Sequence, residues 1–157
     1  MTGNADATYR HATAVVIGEA GVLICGPSAS GKSSLAYSLI AAAEGSGTFA
    51  RLIGDDRVAI AIRNGRLIAS GHPSILGKIE RRGQGIFEVP FIARAVLRLA
   101  IYLLGPNEAP ARVPPLDSDA ILLSGIKLPV LRLPQEAAIP EQAHAILADL
   151  RLRRFLL

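Results

Sequence analysis

The chain has 157 residues, half of them hydrophobic and 19% charged, which is enough apolar mass for one core and excludes a disordered chain. Seventeen Lys and Arg against 13 Asp and Glu leave a formal charge of +4, and 14 of those cations are Arg, so an anionic partner is expected. A single Cys excludes a disulfide framework and a cysteine-based zinc site.

The N-terminus carries no basic region followed by an apolar one, so no signal peptide is expected. Residues 13–17 and 22–24 are β-branched apolar runs around Gly18-Glu19-Ala20-Gly21 and predict a hairpin. Its second arm ends at Cys25, expected to pack in the core, and runs into a glycine loop. Strong helix formers with Leu35, Leu39 and Ile40 at helical spacing predict a helix over 33–43, stopped by Gly45-Ser46-Gly47. Leu52-Ile53-Gly54-Asp55-Asp56 reads as a short strand ending in two carboxylates. Asn64-Gly65 between the apolar runs 58–62 and 67–69 predicts a second hairpin, because both residues tolerate positive φ.

Residues 74–82 predict a helix starting at Ser74 and broken by Gly83-Gln84-Gly85, with Glu80 and Arg81 on its surface. Residues 95–103 alternate as a strand. The apolar stretch 91–104 is too short for a bilayer and holds Arg94 and Arg98, so no membrane segment and a cytoplasmic location are expected. Residues 105–115, with four prolines and no period, predict a mobile loop. Short strands follow at 120–123 and 126–133. Pro140 opens a terminal helix with Ala143, Ile146, Leu147 and Leu150 on one side and Arg151, Arg153 and Arg154 at its end. The apolar Phe155-Leu156-Leu157 beyond it needs a partner, which self-association would supply.

Chemistry concentrates in Gly26-Pro27-Ser28-Ala29-Ser30-Gly31-Lys32-Ser33, a full GxxxxGK[ST] motif with a strand before it and a helix after it. The glycines let backbone N–H groups turn inward around phosphate oxygens, Lys32 reaches the β and γ phosphates, and Ser33 offers a hydroxyl to Mg²⁺. Phosphoryl transfer also needs a further metal ligand and a proton acceptor. Asp55 and Asp56 supply two carboxylates, and alternation along a strand would send them to different faces. Which one is the base stays open at this level. A hairpin entering the loop is unlike the parallel sheets of common P-loop NTPases, and no Asn-Lys-x-Asp motif reads guanine, so a GTPase switch is disfavoured.

Three ordered motifs resemble the catalytic domain of the HPr kinase/phosphorylase family, whose P-loop architecture is shared with phosphoenolpyruvate carboxykinase. His11 stands 15 positions before Gly26, and Leu52-Ile53-Gly54-Asp55-Asp56-Arg57-Val58 and Glu80-Arg81-Arg82-Gly83-Gln84-Gly85-Ile86 match two family segments, so the likeness spans about residues 11–133. The resemblance implies an α/β fold with a P-loop kinase core, a mixed sheet with hairpins and flanking helices, over one catalytic domain at 1–157. The N-terminal domain of longer relatives is not expected, since ten residues precede His11.

The activity implied is an ATP- and Mg²⁺-dependent kinase that phosphorylates a serine of HPr or an HPr-like phosphocarrier of the phosphotransferase system, working as a homo-oligomer, a hexamer in the family. Carried over by position, Asp56 accepts the serine proton with His11 beside it, and Lys32 neutralises the phosphates. Residues 26–34, Ser34 included, cradle the nucleotide. Ser33 and Glu80 hold Mg²⁺ with support from Asp55. Arg82 shapes the catalytic wall, and Arg112 matches the family's loop arginine. The Gly-Arg-Asn that the family associates with dephosphorylation is missing from Leu128-Pro129-Val130-Leu131-Arg132-Leu133-Pro134, which leaves reverse phosphorolysis open. Alternatives are a small-molecule kinase and a non-catalytic nucleotide-sensing module. Scattered arginines without interleaved aromatics disfavour nucleic acid.

Overall fold

The computed structural model describes residues 8–108 and 119–156. Its elements are β1 (Thr8–Arg10), β2 (Thr13–Ile17), β3 (Ala20–Cys25), α1 (Lys32–Gly45), β4 (Ala50–Gly54), β5 (Val58–Arg63), β6 (Arg66–Gly71), β7 (Lys78–Arg81), β8 (Gly85–Glu88), β9 (Arg94–Leu104), β10 (Ala120–Leu123), β11 (Ile126–Pro134) and α2 (Ile139–Leu152). The main sheet runs β1-β5-β6-β9-β3-β2-β4, and β7 and β8 form a separate hairpin.

The sheet is mixed. β2 and β3 are the antiparallel hairpin expected before the glycine loop, and β3 then lies parallel to β9. On its other edge β9 has two neighbours in succession: its first residues pair antiparallel with β6, and 100–104 pair parallel with β11. The sheet therefore forks along one strand and curls. Near the fork Gly21 faces Leu97 across a register shift. A Cβ there would come within 2.4 Å of the Val96 carbonyl oxygen, so only glycine lets the strands close.

Curling gives the sheet a packed layer on each face. On one, Ile17, Ile24, Leu99 and Leu103 meet Leu35 and Leu39 of α1 and Ile146 and Leu150 of α2. On the other, Val16, Leu23, Ile53, Leu67, Ala100 and Val130 pack together. β2 and β3 are covered on both sides, which is why they read as continuous apolar runs instead of alternating ones.

Four expectations need correction. No helix spans 74–82: Pro73–Ile75 forms one 3-10 turn, Gly77 at φ +71° ends it, and 78–81 is strand β7. Only Ile79 in β7 is fully buried, its neighbours being exposed or half-buried, an alternation that suits an edge hairpin rather than a helix. Arg81 is accordingly not a solvated helix cation, for its guanidinium lies 4.3 Å from the Tyr37 ring centroid. Cys25 packs against the core at its margin, half-buried rather than enclosed. Phe155 and Leu156 find a partner within the chain itself: after Arg154 at φ +61°, their N–H groups return to the Leu150 carbonyl, and both side chains pack on the helical layer. The expected loop falls partly, and Arg112 wholly, outside the described residues, as does Leu157.

Candidate functional site

The parallel pair β3 and β9 delivers the glycine loop to one end of the sheet, where it enters α1 with Gly31 as N-cap at φ 95°. No side chain caps this helix and no acid stands in its first turn, so its positive end and free N–H groups are left for an anion. A Cβ on Gly26 would lie 2.8 Å from Ser30 Oγ and 3.0 Å from Leu103 Cβ, which keeps that position glycine. Lys32 is buried, and its Nζ donates to the loop's own carbonyls of Gly26 (3.1 Å) and Pro27 (3.0 Å). Ser30 Oγ is buried with no hydrogen-bond partner, an unmet polar group in a loop built for polar contacts.

The loop forms one wall of a cavity of about 360 Å³, whose lining also includes His11, Thr13, Asp55, Asp56, Glu80 and Arg82. The lining brings together the described residues expected at the site, except Gly26 and Pro27. The two acids do not end a strand, since β4 stops at Gly54. They occupy the bend after it, and Asp56 at φ 67° breaks the strand's alternation. A left-handed turn, rather than pleating, separates the two carboxylates.

Asp55 is buried. Its Oδ1 accepts the hydroxyls of Thr13 (2.8 Å) and Ser33 (2.7 Å), and its Oδ2 accepts the backbone N–H of Glu80 (3.1 Å). Three neutral donors thus hold a carboxylate that pairs with no cation among the described residues. Asp56 is open to solvent, and its Oδ1 lies 2.8 Å from His11 Nε2, with side-chain exposures of 59% and 66%. One acid is fixed by hydrogen bonds; its neighbour is free to meet an incoming group.

The donors suit Mg²⁺ and a triphosphate. A hydroxyl and carboxylates are hard oxygen ligands, and Mg²⁺ typically takes only one or two carboxylates beside phosphate oxygens. Consistently, no cage of three His, Cys, Asp or Glu side chains occurs among the described residues. Thr13 escaped the sequence reading because it belongs to no motif. Its one signal is a hydroxyl in the strand Thr-Ala-Val-Val-Ile, buried throughout. His72 and His144 stand apart from this chemistry: His72 Nδ1 accepts the Ser74 N–H, its ring lying 4.9 Å from Tyr9, and His144 is exposed.

Known proteins point the same way. HPr kinase/phosphorylase of Mycoplasma mycoides is 38% identical over 80 residues, covering 51% of this chain and 24% of that protein. HPr kinase/phosphorylase of Clostridium botulinum (strain Eklund 17B) is 39% identical over 85 residues, 54% of this chain and 26% of that protein. The chain thus spans about a quarter of the length of these curated relatives. The solved structure of the Hpr(Ser) kinase/phosphatase from Coxiella burnetii superposes with a TM-score of 0.77 at 27% identity, over 95% of this chain and 99% of that one. The sequence model of the HPr serine kinase C-terminal domain matches residues 3–100, and the chain belongs to that family.

Proposed function

We propose that the chain is an ATP- and Mg²⁺-dependent protein kinase that phosphorylates a serine of HPr or an HPr-like phosphocarrier, on a P-loop core of the phosphoenolpyruvate carboxykinase type. The observation that carries this reading is the pairing of two differently held acids around one cavity: Asp55 tied to Ser33 and Asp56 open beside His11.

In this reading the backbone N–H groups of residues 26–34, Pro27 excepted, and the α1 N-terminus bind the triphosphate. Lys32 exchanges its loop carbonyls for phosphate oxygens, and Ser30 gains the partner it lacks. Ser33 and Glu80 hold Mg²⁺ with Asp55 behind them; when bound, the ion offsets charge on the β and γ phosphates. Asp56 accepts the proton of the serine hydroxyl, and His11, within hydrogen-bond reach, steadies the carboxylate and takes the proton on. Arg82 on the cavity wall acts on the transferring group, and Arg112 is assigned a catalytic role by its motif position alone. The names of the Coxiella protein, a kinase/phosphatase, and of the curated relatives, kinase/phosphorylases, support testing both directions.

The test is incubation with ATP, Mg²⁺ and HPr-type carriers, with phosphoserine read by mass spectrometry, alongside a phosphorolysis assay on the phosphorylated carrier. Transfer to a carrier serine is expected. Nucleotide binding with no transfer to any carrier would overturn the reading, and turnover without a protein acceptor would move it to a small-molecule kinase.

A further inference from the structure

Antiparallel pairing of β2 with β4 runs Ala14 against Gly54. Continued one step beyond the strand ends, it brings the segment His11-Ala12-Thr13 past Asp55-Asp56 in the opposite direction. Each acid thereby receives its own partner: Thr13 Oγ1 on Asp55 at 2.8 Å and His11 Nε2 on Asp56 at 2.8 Å. The motif reading assigns a role to His11 and none to Thr13.

We propose that Thr13 is a positioning residue for the metal site: it holds Asp55 so that Ser33 presents its oxygen lone pairs to Mg²⁺. Ser33 has a single hydroxyl hydrogen, spent on Asp55 Oδ1 at 2.7 Å, so its lone pairs point away from that acid. The direction they take depends on where Oδ1 sits. Oδ1 is shared with Thr13, 1% exposed at the first position of β2, between β3 and β4, and a β-branched side chain on a strand has a restricted χ1. Of the three donors to Asp55, Ser33 belongs to the glycine motif and Glu80 acts through its backbone. Thr13 is the remaining anchor, a strand hydroxyl on the cavity wall that bonds to Asp55. Partners that orient a ligand from behind typically change metal affinity by about 10- to 100-fold when removed.

This inference rests on the Mg²⁺-nucleotide reading above, and the experiment separates the two. Nucleotide affinity is measured by calorimetry with and without Mg²⁺ for the full chain, Thr13→Val and Thr13→Ser, together with the Mg²⁺ dependence of the rate. For Thr13→Val, which keeps the shape and removes the donor, the expected result is an Mg²⁺ requirement raised about 10-fold or more. Metal-free nucleotide affinity should change far less than the Mg²⁺ requirement, and Thr13→Ser should restore the wild-type requirement. A parent protein whose nucleotide affinity ignores Mg²⁺ would sink the metal reading itself. A parent that responds while Thr13→Val responds equally would sink Thr13's role alone, as would equal loss of metal-free binding, which marks a purely structural residue. If Thr13→Val does not fold, Thr13→Ala takes its place with the same criteria.

Discussion

Asp55 and Asp56 are neighbours in sequence and opposites in surroundings. Asp55 is buried and takes three hydrogen bonds, from β2, α1 and β7. Asp56 is exposed and, among the described residues, its carboxylate pairs with His11. One left-handed residue produces the difference, since φ 67° at Asp56 turns the chain away from the sheet. Metal support requires a carboxylate that does not move, whereas proton acceptance requires one the substrate can reach. In the proposed function a single bend would supply both from adjacent positions.

Substitutions at the pair should break that contrast in measurable ways. The largest effect is expected for Asp56→Asn, which should lower the transfer rate by about 10²- to 10⁴-fold while leaving nucleotide affinity unchanged. Stability should move by less than about 0.5 kcal/mol in urea titrations, because the site is exposed and Asn tolerates the left-handed region. Asp55→Asn should do the reverse. Its amide nitrogen must face one of three donors, which costs about 1–3 kcal/mol of stability and removes the Mg²⁺-dependent gain in nucleotide affinity. His11→Ala should slow transfer by about 10-fold, toward the low end for a group that assists a base without replacing it, with urea midpoint and Mg²⁺ dependence unchanged. A smaller effect sharpens the boundary of the site: burial pushes the Cys25 thiol above its ordinary range, although Arg10 and Lys32 pull it down. At pH 8 a disulfide reagent should therefore modify native Cys25 more slowly than a free thiol, with the difference lost in denaturant.

Much of the fold was legible because local signals agree with tertiary ones. Asn64-Gly65 forms the predicted turn between β5 and β6, and Ala143, Ile146, Leu147 and Leu150 form the buried side of α2 as spaced. Prediction failed where a distant contact decides. Helix propensity at 74–82 yields to pairing with β8, anchored by Ile79 beneath α1. The chain reversal that returns Phe155 and Leu156 to the core depends on one positive φ that nothing in Arg-Arg-Phe announces. At the site, motif residues could be listed but not ranked: adjacency of Asp55 and Asp56 conceals which is buried, and Thr13 lies 42 positions from the acid it holds. Arg112 was legible only as a motif position.

The bond from Glu80 to Asp55 is made by the main chain, and this sets what mutagenesis at position 80 can reveal. Glu80→Gln or Glu80→Ala changes the carboxylate on the cavity wall while the β7–β8 hairpin stays moored to the buried acid. Only proline lacks the amide hydrogen, so Glu80→Pro alone would cut this tie and leave Ile79 to hold the hairpin. A library scan that omits proline would report the proposed metal-facing function of residue 80 and stay blind to its architectural one.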